Sequence, residues 1–212
     1  VMIAIRMSLT VGLVGVFFTF ILGCFFGGIS GYYGGAADMI IQRIIEFLSS
    51  MPSIPLWMAL AAAFPKDWSA VQVYFMITLI LSMIGWGSLA RTVRGKILQM
   101  RTEDFVMAAK LAGASDKYLI VRHLLPGFSS YLIVNVTLAV PQMILGETSL
   151  SFLGIGLRSP AVSLGVLLKD AQNISAIANS PWLMIPGLFI IVTVMAFNFL
   201  GDGLRDAADP YK

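Results

Sequence analysis

The chain is short of charge. Asp, Glu, Lys and Arg make up only 12% of its 212 residues, against roughly 25% in average soluble chains. So few charges cannot cover the surface of a soluble domain this size. There is one cysteine, Cys24, which excludes an intrachain disulfide framework and any zinc site built on paired cysteines. There is one histidine, His123, and alone beside a basic loop it makes no metal site. No Gly-x-x-x-x-Gly-Lys-Ser/Thr phosphate loop occurs, and Gly95-Lys96 lacks the rest of that motif. Any ATP must then be hydrolysed by another chain. What is present is 58% hydrophobic residues and a mean hydropathy of +0.88. These exclude an ordinary soluble protein and a disordered one. They also exclude most nucleic-acid binders, although the pI is about 9.1. An integral membrane protein remains, with no catalytic, metal or cofactor site expected.

A membrane-spanning helix needs about 20 mostly apolar residues. Five stretches qualify: Met7–Ile29, Ile44–Phe64, Val73–Ala90, Phe128–Glu147 and Leu183–Leu200. The second carries Glu46 near its start and Pro52 and Pro55 inside, so it is expected to kink or break. The runs are continuous rather than alternating, which argues against a β-barrel. The expectation is an all-α polytopic membrane protein.

Basic residues set the orientation. The loops Ser30–Arg43 and Arg91–Gly127 and the tail Gly201–Lys212 share one side and hold ten of the fourteen Lys and Arg residues. That side is expected to be cytoplasmic. Pro65–Gln72 and Thr148–Trp182 then lie outside, as does the N-terminus. An outside N-terminus without a signal peptide, on a chain beginning with Val, suggests that the native protein has six spans and that the first is missing here.

The loop Arg91–Gly127 holds seven basic residues. Arg91, Arg94 and Lys96 directly follow a span and also suit contact with lipid headgroups. Thr102 is placed to cap a helix whose first turn holds Glu103 and Asp104. Gly113 is placed to stop it, and Ser115 and Asp116 to start a second helix through Leu124 that ends at Pro126 and Gly127. At about 100° per residue, Ala108, Ala109, Ala112 and Gly113 form a small-residue stripe, with Phe105 on the same face. Two readings are open: the stripe seats in another chain's groove, or it packs on this protein's own helices.

Met107-Ala-Ala-Lys-Leu-Ala-Gly113 followed by His123-Leu-Leu125-Pro126 resembles the EAA loop of ABC-importer permease subunits. Ala108, Ala109, Gly113, Leu125 and Pro126 fall on that motif, while Met107 stands where it has Glu and His123 where it has Ile. Gly31-Tyr-Tyr-Gly-Gly35, Glu147-Thr-Ser-Leu-Ser-Phe-Leu-Gly-Ile-Gly156 and Gly201-Asp-Gly-Leu-Arg-Asp-Ala-Ala-Asp-Pro210 are similar to the second permease subunit of dipeptide, oligopeptide and nickel importers. The resemblance implies a type I permease fold of six spans in a bacterial or archaeal cytoplasmic membrane. It implies a heterodimer with a homologous permease, two ABC ATPase subunits, and an extracytoplasmic binding protein that docks on 148–182. It implies coupling to the ATPase through Phe105, Met107, Ala108, Ala109, Ala112, Gly113, Leu125 and Pro126. The expected cargo is a dipeptide or oligopeptide, with nickel or a nickel chelate as the alternative.

Asn135, Gln142 and Asn198 lie inside spans. Such side chains line a water-filled path or hydrogen-bond neighbouring helices. Gly23, Gly27, Gly31 and Gly35 recur every four residues, which suits close packing either within this chain or against a partner permease. An ion-coupled transporter needs an ionisable group near mid-bilayer. The spans offer only Glu46 and Glu147, both near ends.

Overall fold

The computed structural model describes residues 1–65 and 67–208. Asp209, Pro210, Tyr211 and Lys212, the end of the tail motif, lie outside the described residues, as does Lys66. The described residues form helices and connecting segments, with no strand among them. Four helices are long and apolar enough to cross a membrane: α1 (Met2–Tyr33), α4 (Ala70–Met100), α8 (Ser129–Phe152) and α11 (Ile185–Ala208). A fifth crossing is available only from a bent pair, α2 (Gly35–Ser50) and α3 (Ser53–Ala62), which meet at 87°. The expected break in the second span therefore occurs, at Met51-Pro52, with both residues extended. Proline lacks the N–H that would continue the ladder.

Three stretches expected as loops are helical. Ser30–Arg43 is divided between α1 and α2, with only Gly34 between them at φ +67. That left-handed conformation is open to glycine and turns the chain in one residue. Residues 91–100 continue α4, so the basic segment begins as part of a spanning helix. The start of the tail continues α11.

Glycines set the packing. α1 packs against α4 and α8 and leaves Leu13, Phe17, Ile21 and Phe25 exposed on its other face. A Cβ on Gly27 would lie 2.6 Å from the Ala90 carbonyl oxygen, and one on Gly31 would lie 2.9 Å from that of Arg94. A Cβ on Gly23 would meet Leu89 at 2.7 Å. The glycine stripe is thus a seam within this chain, and only Gly35 of the four faces open space. Gly201 likewise lets α11 approach Leu138 of α8. The rest of α11 is mostly exposed, with Leu188, Ile191, Val192, Met195 and Phe199 facing outward.

Between α8 and α11 lie the short helices α9 (Leu164–Lys169) and α10 (Ile174–Asn179), and α9 packs on α8 with Leu164 fully buried. A Cβ on Gly165 would strike the Thr148 carbonyl at 2.5 Å.

Candidate functional site

The short helix α5 (Asp104–Leu111) stands at the Tyr33 end of α1. Glu103, not Thr102, precedes it as N-cap, and no side chain caps it. Its end is a glycine stop. Gly113, at φ +86, donates to the Lys110 carbonyl, and Ala114 donates to that of Ala109. This pair of bonds satisfies the last carbonyls of the helix. Ser115 then caps α6 (Asp116–Tyr118). A π-helical stretch, Leu119–Leu124, leads into α7 (Leu125–Gly127). Pro126 lacks an N–H and its ring crowds the preceding turn, and the wider π turn accommodates it.

The faces of α5 differ from the helical-wheel expectation. Val106 is buried, and Ala109 is half-buried against a core of Ile97, Leu119, Leu124 and Phe128. Ala109 therefore packs on its own protein and is not part of an open stripe. Leu125 packs beside the same core, and Pro126 is exposed. The outward face carries Phe105 at 47% exposed, Met107 at 48% and Leu111 at 87%, together with Ala108, Ala112 and Gly113. It is mostly apolar and faces away from this chain, with Asp104 and Lys110 exposed beside these residues.

This end of the bundle is held by polar bonds that the sequence did not announce. The Tyr32 hydroxyl donates to Asp116 Oδ1 at 2.7 Å, joining α1 to α6. Arg94 of α4 grips Asp38 of α2 with two bonds of 2.6 Å. Ser30 Oγ donates to the same carboxylate. Arg101 Nη1 donates to the carbonyls of Gly31 and Tyr32. The only early signal was the Gly31–Gly35 motif, whose Tyr32 has a role in these bonds. Arg94 and Arg101 face the protein itself, while Lys96 lies over the Tyr131 ring at 5.0 Å.

At the opposite end of α1, Glu147 is fully buried. Ser8 of α1 donates to its Oε2 at 2.9 Å, and Ser151 donates to its Oε1 at 2.7 Å. Each serine oxygen accepts in turn from a backbone amide: Ser8 from Leu164, Ser151 from Leu157. One carboxyl group thereby ties α1, α8 and the start of α9 together.

Between these ends, α1, α3, α4 and α8 border a groove of about 360 Å³. Asn135 and Gln142 both line it, with Thr19, Trp57 and Ser88. Asn198 does not join them; it is exposed on α11. Thr19, Trp57 and Ser88 were not singled out from sequence, where each reads as ordinary span filling.

Residues 20–211 match the family described as the binding-protein-dependent transport system inner membrane component. The chain belongs to that family. This inner membrane component is 40% identical over 206 residues to the oligopeptide transport system permease protein OppC of Haemophilus influenzae, covering 97% of this chain and 64% of that protein. It is 39% identical over 207 residues to the dipeptide transport system permease protein DppC of Bacillus subtilis, covering 97% and 62%. The chain therefore spans a little under two thirds of the length of these curated relatives. Its fold is similar to that of a chain from the MetNI methionine ABC transporter in an inward-facing conformation, with TM-score 0.70 and coverage of 97% and 95%. At 18% identity that likeness concerns the fold alone. The protein is an all-α, multi-pass membrane component with a type I ABC permease fold.

Proposed function

We propose that this chain is a permease subunit of an ATP-driven importer that carries oligopeptides or dipeptides across a cytoplasmic membrane. Its partners in this reading are a homologous permease, two ATPase subunits and an extracytoplasmic binding protein. The ATPases hydrolyse the nucleotide, and α5 docks in a groove on one of them at the cytoplasmic face. The observation that carries the reading is α5 itself. It presents Phe105, Met107 and Leu111 outward while Val106 and the glycine stop fix it to the spans. An apolar face of this kind on a rigid base suits a protein groove. The relatives' names supply the cargo class.

The test is reconstitution of the whole complex in vesicles, with Ala108→Glu and Leu111→Asp as variants. Neither position lies in a span or in the core behind α5. Each should reduce copurifying ATPase and peptide uptake at least tenfold, since a buried apolar anchor of an interface is worth about 2 kcal/mol or more. Normal uptake at normal expression in both variants would overturn the coupling role. Orientation is read in the same membranes in a Cys24→Ala background. An impermeant thiol reagent outside cells should label Ser175→Cys and spare Lys117→Cys, both positions being exposed.

A further inference from the structure

We propose that the groove between α1, α3, α4 and α8 hydrogen-bonds the main-chain amides of the peptide in transit, with Thr19, Trp57, Ser88, Asn135 and Gln142 as its contacts. The proposal rests on the peptide-importer reading above and adds where, and by what chemistry, the cargo is touched.

The groove lies at mid-span. Thr19 is near the middle of α1, Ser88 of α4, and Asn135 and Gln142 flank the middle of α8. It continues past Trp57, Gly85 and Ser88 into a second cavity of about 310 Å³ at the α2–α3 bend. No Asp, Glu, Lys or Arg lines either.

Two polar atoms here are buried and unpaired, Thr19 Oγ1 and Trp57 Nε1. Thr19 is only 5% exposed. An unpaired polar group away from water is costly, and helical Thr and Ser normally avoid the cost by bonding the carbonyl one turn back. Thr78, Thr137, Ser149 and Thr193 all do so in this chain. Thr19 does not. The carbonyl one turn back belongs to Gly15, and Ser82 Oγ lies 2.9 Å from it. The Thr19 hydroxyl borders the groove without a partner. Ser88 and Gln142 make no side-chain hydrogen bond among the described residues, and Asn135 uses only its Nδ2, toward the Tyr131 carbonyl.

The lane therefore holds donors and acceptors without charge. A charged lining would sort cargo by side chain. A neutral, bifunctional lining matches the group common to every peptide, an amide with one donor and one acceptor. Trp57 Nε1 and Thr19 Oγ1 can donate to its carbonyl, and the Asn135 and Gln142 carbonyl oxygens can accept from its N–H.

The experiment uses the complete complex in vesicles. Thr19→Val and Gln142→Leu each remove hydrogen bonding and nearly keep shape, and Trp57→Phe removes the indole N–H together with part of the ring. Uptake is measured for short peptides differing in side chains, and for an analogue with its central amide replaced by an ester. Each variant should lower kcat/KM for the all-amide peptides about fivefold, the value of one neutral hydrogen bond, whatever their side chains. Thr19→Val and Trp57→Phe should lower it less for the ester, whose carbonyl accepts poorly. Thr19→Ser should restore uptake. A wild-type complex that accumulates no peptide overturns the importer reading and this one with it. Wild-type uptake with unchanged variants overturns this one alone and leaves the groove a water channel. A loss that follows the peptide's side chains also overturns it.

Discussion

The two ends of α1 are fastened in opposite ways. At Ser8 the fastening is a fully buried carboxyl that holds two serines, each of which holds a backbone amide. At Tyr32 it is a looser set of bonds, partly open to solvent, reaching to α2, α4 and α6, in which Asp38 holds both Ser30 and Arg94 while Tyr32 and Arg101 bond apart from it. A buried network loses its shared acceptor when its hub is lost, and none of its members can turn to water. Half-exposed bonds such as those of Tyr32 and Arg101 can be lost one at a time, and water replaces each. The first arrangement suits an end that keeps one geometry. The second suits an end that, in the proposed function, receives movement from an ATPase.

That contrast can be broken by substitution. The largest effect is expected for Glu147→Leu, which leaves the Ser8 and Ser151 hydroxyls without their acceptor. Both can turn toward their own helical carbonyls, which limits the loss to about 2–4 kcal/mol. Thermal unfolding in lipid nanodiscs should show it, along with protease sensitivity of the α9 segment. A smaller effect is expected for Asp38→Ala. The Arg94 pair is bidentate but partly exposed, with side-chain exposures of 33% and 19%, so the loss should be about 1–2 kcal/mol. Tyr32→Phe should be mildest, roughly 0.5–1 kcal/mol, since Asp116 is then hydrated. Its effect should appear instead as weaker dependence of ATP hydrolysis on substrate. If Tyr32→Phe destabilises the complex as much as Glu147→Leu, the two ends do not differ as described.

Much of this was legible in the residues. Long apolar runs placed the spans, Pro52 and Pro55 marked the break, and Gly113 marked the turn after α5. The glycine period announced a close seam but not its partner, because spacing identifies a face and not what lies opposite. The same limit left two readings open for Ala109, since a helical wheel cannot say which side of α5 meets the core. The loop expected at Ser30–Arg43 failed for another reason. One glycine at positive φ suffices to join two helices, so composition there reads as a loop while the backbone does not. Glu147 looked like a span end because hydropathy cannot see Ser8, 139 positions away.

Ser8 and Tyr32 are 24 residues apart on one unbroken helix, which is about 36 Å along its axis. The hydrocarbon layer of a bilayer is about 30 Å thick. α1 is therefore a gauge slightly longer than the layer it crosses, with a polar fastening at each mark. A gauge of fixed length meets a change in lipid thickness by tilting. The glycine seam carries α4 along with it, because backbones that touch cannot slide independently. Acyl-chain length thus enters the strain at both fastenings, and the membrane becomes a mechanical component of the protein.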